Sequence, residues 1–231
     1  MPQFEIICLA NSRKYGGRCV AGLRTDGSGW LRPVGTVPDG TLYPPPYTLH
    51  DGTEAGLLDV IHIGVRTHRP VPHQPENWVI DGTMWALNAR PLRDNLSHGL
   101  RNAIVSGPEL LRGFSDRVPY ASFQQQNATA SLALIAPDSI DLYQQLSYSG
   151  RPQARGRFAL GTGSQASVYD LVVTDPRWEQ FVIHQGAWTL RQADSKVLVT
   201  ISMGEPFGLN CYKLISAIIV LPSSIAAAFS Q

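Results

Sequence analysis

No helix can cross residues 36–54, TVPDGTLYPPPYTLHDGTE, because Pro38 and the Pro44–Pro46 run withhold backbone donors and hold the chain extended. The same punctuation recurs throughout: 17 prolines and 21 glycines cut the apolar residues into short runs separated by turn signals. Short apolar runs bounded by turns make strands, so the expected fold is mainly β with short helices. A chain of 231 residues is long enough to build its core without disulfides or metal.

The runs fall into two groups. Near the start, residues 3–10 (QFEIICLA), 18–25 (RCVAGLRT), 30–34 (WLRPV) and 57–65 (LLDVIHIGV) read as strands, with Asp26-Gly27-Ser28-Gly29 as a hairpin turn. This order suggests a small closed barrel over 1–72. Residues 73–129 read as a connecting layer. It is extended through 70–78 (PVPHQPENW), carries short helices within 92–112, and ends in a polar connector at 121–129. From 130 to 231 strands return at 130–136, 155–161, 167–173, 196–203 and 212–221, with a loop at Gly204–Asn210. A helix is expected at 175–184, where Asp175 caps and Pro176 takes the first turn. This unit would be a second barrel.

Charge excludes several functions. The net charge of +1 rules out a strongly basic nucleic-acid coat, although residues 1–33 hold five basic side chains (Arg13, Lys14, Arg18, Arg24, Arg32) against Glu5 and Asp26. Arginine far outnumbers lysine (only Lys14, Lys196 and Lys213), which reflects either bidentate anion recognition or a GC-rich coding sequence. No apolar run reaches the roughly 18 residues of a membrane span, and the N-terminus lacks a signal-peptide pattern. The expectation is a cytoplasmic protein with no membrane partner. Cys8, Cys19 and Cys211 have no C-x-x-C spacing, and His62, His68 and His73 have no ligand spacing, so neither metal nor cofactor is expected.

Four polar clusters carry the chemistry. Asn11, Ser12, Arg13, Lys14 and Arg18 surround Gly16-Gly17, either an anion-holding loop or a solvated basic hairpin. Gln74, Glu76, Asn77 and Trp78 follow prolines, either a surface that reads a base or a rigid strap whose Trp78 fills a core gap. Asp175 to Glu179 is chiefly a helix start. Glu205 lies near Tyr212 and Lys213; Glu205 and Lys213 form either an ion pair or a site with Glu205 as general base or hydroxyl acceptor. Cys19 is either a thiolate nucleophile beside the cations or a small buried hydrophobe.

The blocks LANSRK-x-GGRCVAG, GWLRPV, QPENW, VTDP-x-WE, TISMGEPF and CYKLI-x-A-I-I run in order from residue 9 to 219. Together they resemble the dual OB-containing domain family. The resemblance implies two OB-like barrels packed through the Pro-rich, partly helical layer, and roles in nucleic-acid or nucleotide binding in bacterial defence. It marks as signature positions Asn11, Ser12, Arg13, Lys14, Gly17, Arg18, Trp30, Arg32, Gln74, Glu76, Asn77, Trp78, Asp175, Glu179, Ser202, Glu205, Tyr212 and Lys213. Met203 stands where the family has leucine. The resemblance implies no reaction.

The resulting expectation is a binding module for single-stranded nucleic acid or a nucleotide-containing ligand, with Arg13, Lys14, Arg18 and Arg32 as cations and Trp30, Trp78 and Tyr212 as platforms. Two alternatives stay open: an enzyme acting on a nucleotide, nucleobase or modified nucleic acid, and a recognition subunit bound to partner proteins of a defence system. In the favoured arrangement the four clusters meet at the seam between the barrels.

Overall fold

The computed structural model describes residues 1–90 and 99–221. β1 (Gln3–Lys14), β2 (Gly17–Arg24) and β3 (Trp30–Val34) form an antiparallel meander. Its first turn is Tyr15-Gly16, with φ of 45° and 82°, the paired positive angles that match strand twist in a two-residue hairpin. Gly17 serves packing: a Cβ there would lie 2.3 Å from the Leu42 carbonyl oxygen, which bridges the long loop to β2. β4 (Val60–His68) pairs with β1, and β5 (Asn77–Ile80) runs parallel to β3 and antiparallel to β4. The circuit β1-β2-β3-β5-β4-β1 is therefore closed, the five-stranded Greek-key barrel of an OB fold. Its last strand comes from a stretch whose prolines suggest a connector. β6 (Ala86–Ala89) adds an outer edge to β4.

The barrel core holds Ile6, Cys8, Val20, Leu31, Ile61, Ile63 and Val65. The Pro-rich 36–54 loop is helix-free as expected, yet it contributes Leu42, Tyr47 and Leu49 to that core.

Between the units lie β7 (Ile104–Val105), β8 (Arg117–Pro119), α1 (Tyr120–Gln125) and β9 (Leu132–Ile135). Residues 91–98 lie outside the described residues, and with them part of the helical expectation for 92–112; residues 99–102 form a helical turn. The polar connector expected at 121–129 is partly α1, a single short helix anchored by the buried Phe123.

The second unit repeats the connectivity of the first. β10 (Ser139–Leu146), β11 (Pro152–Leu160) and β12 (Ser167–Val173) form a meander, α2 (Pro176–Gln185) follows, and β13 (Trp188–Arg191) returns to β10. β14 (Lys196–Phe207) and β15 (Asn210–Leu221) form a hairpin in which β15 runs parallel to β12, as β5 does to β3. The fourth strand is thus split, β13 serving β10 and β14 serving β15, and the outer edge of β14 takes β9 and β7. β14 continues through Gly204-Glu205-Pro206, where a loop was expected, because a register irregularity between Met203 and Pro206 accommodates the proline. α2 starts as its sequence predicts, with Asp175 Oδ1 accepting from the Arg177 and Trp178 amides.

The two units share an apolar seam in which Ile7, Leu9 and Val60 meet Leu134, Leu198 and Ile219. Trp30 packs against this seam, and Thr200 Oγ1 donates to the Leu9 carbonyl at 2.6 Å. Burying one Leu or Ile side chain contributes about 2 kcal/mol, against about 1 kcal/mol or less for an exposed ion pair. The seam is therefore held chiefly by apolar contact, with polar groups gathered at its margin. Among the described residues, no helix is long and apolar enough to cross a membrane.

Candidate functional site

At one end of the seam lies a cleft of about 620 Å³. Each OB unit opens to it through the elements by which such barrels bind ligands, the turn between their first two strands and the connection into their last. From the first unit come Ser12 to Tyr15 at the β1–β2 turn and Gln74 from the segment before β5. From the second come Ser147 and Tyr148 at the β10–β11 turn and Phe207 at the β14–β15 turn, with Arg155 and Asp170 from the faces of β11 and β12.

The floor is formed by Cys19, Arg32, Gln74 and Ser202. Arg32 is buried and linked across the seam: its guanidinium donates to Ser131 Oγ at 2.7 Å, and Ser131 donates to Glu76 Oε1 at 2.5 Å. Arg32 also lies 3.4 Å from the Cys19 sulfur. Gln74 donates to the Met203 carbonyl at 3.0 Å and accepts from Asn77 at 3.2 Å. Glu76 and Asn77 thus sit one layer behind the floor and hold it.

On the wall, Lys14 Nζ lies 2.8 Å from Glu205 Oε1, and His73 Nε2 donates to Glu205 Oε2 at 3.0 Å. Burial would raise the Glu205 pKa, but the hydrogen bonds from His73 and Lys14 and the lysine charge outweigh it and bring the value down to about 2. Glu205 is a fixed anion. Lys213 does not pair with it; buried, it donates to the Gly113 and Ser115 carbonyls at 2.8 and 2.7 Å. Burial lowers its pKa to about 8, with the Asp116 and Glu109 charges opposing the shift. Lys213 thereby fixes the 113–116 turn, which follows Leu111 and Arg112 at φ of 42° and 66°, strained values for non-glycine residues. That turn presents Arg117, whose guanidinium lies 4.9 Å over the Tyr212 ring.

Of the side chains singled out in sequence, Ser12, Arg13, Lys14, Arg32, Gln74, Glu205, Tyr212 and Lys213 line this one cleft. Asn11 and Arg18 instead converge on Glu54, at 3.1 and 2.8 Å, where Tyr47 also donates. Trp78 packs edge-on to Phe4 and stacks on His68, with centroids 4.9 and 4.8 Å apart, and lies outside the cleft. From the helix-start cluster, Glu179 reaches the rim as the partner of Arg13, while Asp175 is a cap that also accepts from the Ile218 amide. Sequence reasoning missed Tyr15, Tyr148, Phe207, Arg117, Arg155 and Asp170. The available signal was a large aromatic beside the glycine of a tight turn, in YGG and SYSG, where it has no core to enter. Cys19 is half-buried in the cleft floor, between the two environments considered for it. Among the described residues, no cluster of three His, Cys, Asp or Glu side chains could hold a metal ion.

A closed five-stranded barrel and a second sheet of the same connectivity, facing each other across a polar cleft, define a two-unit OB protein. The chain belongs to the dual OB-containing domain family, whose sequence profile matches residues 4–218. No curated protein matches the chain in sequence.

Proposed function

We propose that the chain is a binding module for a short single-stranded nucleic acid or a nucleotide-containing ligand, held in the cleft between the two OB units. The observation that carries this reading is the lining. Tyr15, Tyr148 and Phe207 stand exposed on the ligand-facing turns, and aromatic rings of this kind stack bases irrespective of sequence. Around them are six cations (Arg13, Lys14, Arg32, Arg117, Arg155, Lys213) and three anions (Asp116, Asp170, Glu205), a local excess of +3. That excess suits a few phosphates and not a long polyanion. The volume lies in the range that encloses one small ligand.

Glu205, the candidate general base, is held ionised by Lys14 and His73, which supports an anchoring role over proton transfer. A binding role also suits the defence-related setting that the family resemblance implies. Calorimetric titration with nucleotides and with oligonucleotides of increasing length tests the proposal. Affinity should stop rising after a few nucleotides. Its dependence on log salt should have a slope of about −2 or shallower, as for one to three phosphate contacts on a single strand. Failure of every nucleotide and oligonucleotide to bind would overturn it.

A further inference from the structure

The two OB units present the same element to the cleft. Tyr15 stands in the turn between the first and second strands of one unit, and Tyr148 in the corresponding turn of the other. The equivalence is topological: β1, β2, β3 and β5 correspond to β10, β11, β12 and β15, and the parallel pairing of β3 with β5 is matched by that of β12 with β15.

Both rings line the cleft, and both are bare, at 68% and 110% exposure. Among the described residues neither has an aromatic or cationic side chain over its face, whereas Trp78 and Tyr169 are packed on rings within their own units. Tyr15 also occupies a position with φ of 45°, where hairpin turns favour Asn, Asp or Gly. A bulky aromatic kept there against local preference, with no core contact, points to a task outside folding. Cations flank both tyrosines, Arg13 and Lys14 on one wall and Arg155 on the other.

We propose that the ligand carries two flat rings joined by an anionic linker, a dinucleotide or a two-nucleotide stretch of single strand, with one base stacked on Tyr15 and the other on Tyr148. This rests on the binding reading above and narrows its ligand class. One internucleotide phosphate is matched by the small positive excess of the lining. The Arg13–Glu179, Lys14–Glu205 and Arg155–Asp170 pairs leave little capacity for more.

The test is calorimetric titration of the intact protein with ApA, its deoxy form dApdA, and AMP. AMP carries more charge than ApA, so electrostatics alone would favour AMP. Two stacking sites reverse that order: ApA or dApdA should bind about tenfold or more tightly than AMP, since stacking one base on an aromatic is worth about tenfold or more. Tyr15→Ala and Tyr148→Ala should each remove that advantage, whereas Tyr15→Phe and Tyr148→Phe should keep it. Both side chains are exposed, so the variants fold. AMP binding as tightly as the dinucleotides, or either alanine variant binding them like the wild type, overturns the two-ring ligand and leaves nucleotide binding standing. No binding of ApA or dApdA at millimolar concentration also overturns it. The broader reading falls with it only if nucleotides and longer oligonucleotides fail as well.

Discussion

At the scale of single residues, Glu205 carries a charge that two neighbours from the other unit hold in place, Lys14 and His73. Its folded pKa of about 2 lies below the ordinary 4.5, so the folded state binds its proton less readily than the unfolded chain does. The resulting stability is present above pH 4.5 and is lost as pH falls from there through about 2. Its size is on the order of 2 kcal/mol. Glu205→Gln should flatten the acid limb of a melting-temperature profile over that window while lowering stability at pH 7. Lys213 gives the same sign of pH dependence from the opposite cause, burial that penalises its charged form. Its folded value of about 8 lies below the ordinary 10.5, so between these values the unfolded chain binds more protons and stability rises with pH. Replacing it in Lys213→Met should abolish that rise, which thermal melts at pH 7.5, 9 and 10.5 would read directly (on the order of 2 kcal/mol across the window). A melt profile in which the variant keeps the wild-type slope would show that Lys213 does not titrate as its burial dictates.

At the scale of elements, α2 is the segment whose sequence and structure agree most closely, because its cap is local. Asp175 accepts from two amides of its own first turn and from Ile218 of β15, so Asp175→Ala removes a cap and leaves a buried amide unpaired. A loss of about 2 kcal/mol in urea unfolding is expected, with Asp175→Asn losing much less. Elements without local signals were harder to see. β10 reads SIDLYQQL, where Ile140 and Leu142 alternate inward but Gln144 and Gln145 erase the pattern before the strand ends. α1 has no side-chain cap and one buried residue, so it is made by Phe123 packing against Val118 and Cys211 rather than by propensity. The site shows the same division. Arg13, Lys14, Lys213 and Glu205 were visible because they fall in clusters of polar residues near glycine or proline. Arg155 and Asp170 were not, because they alternate with core residues on β11 and β12, and only the barrel's curvature decides that their face looks onto the cleft.

At the scale of the whole molecule, the apolar seam packs the closed barrel against the second sheet, and the two units are expected to unfold as one cooperative body. Leu198 is fully buried there between the units, so Leu198→Ala should cost about 2–5 kcal/mol. Scanning calorimetry should show a single transition for both wild type and variant, with the variant shifted down as a whole; two resolved peaks in the wild type would mean that the units unfold independently. The pairing of nearly every exposed cation in the cleft with a carboxylate of this same chain has a consequence for selectivity. On the proposed reading each carboxylate is a tethered competitor at the cation an incoming phosphate would use. A free phosphate, or a polyanion offering charge alone, has to displace that competitor and gains little by the exchange. A molecule that also lays its rings on the bare tyrosines has a second source of binding free energy. If the proposed binding holds, the cleft should discriminate against abundant small anions in favour of a ligand that brings both charge and flat surface.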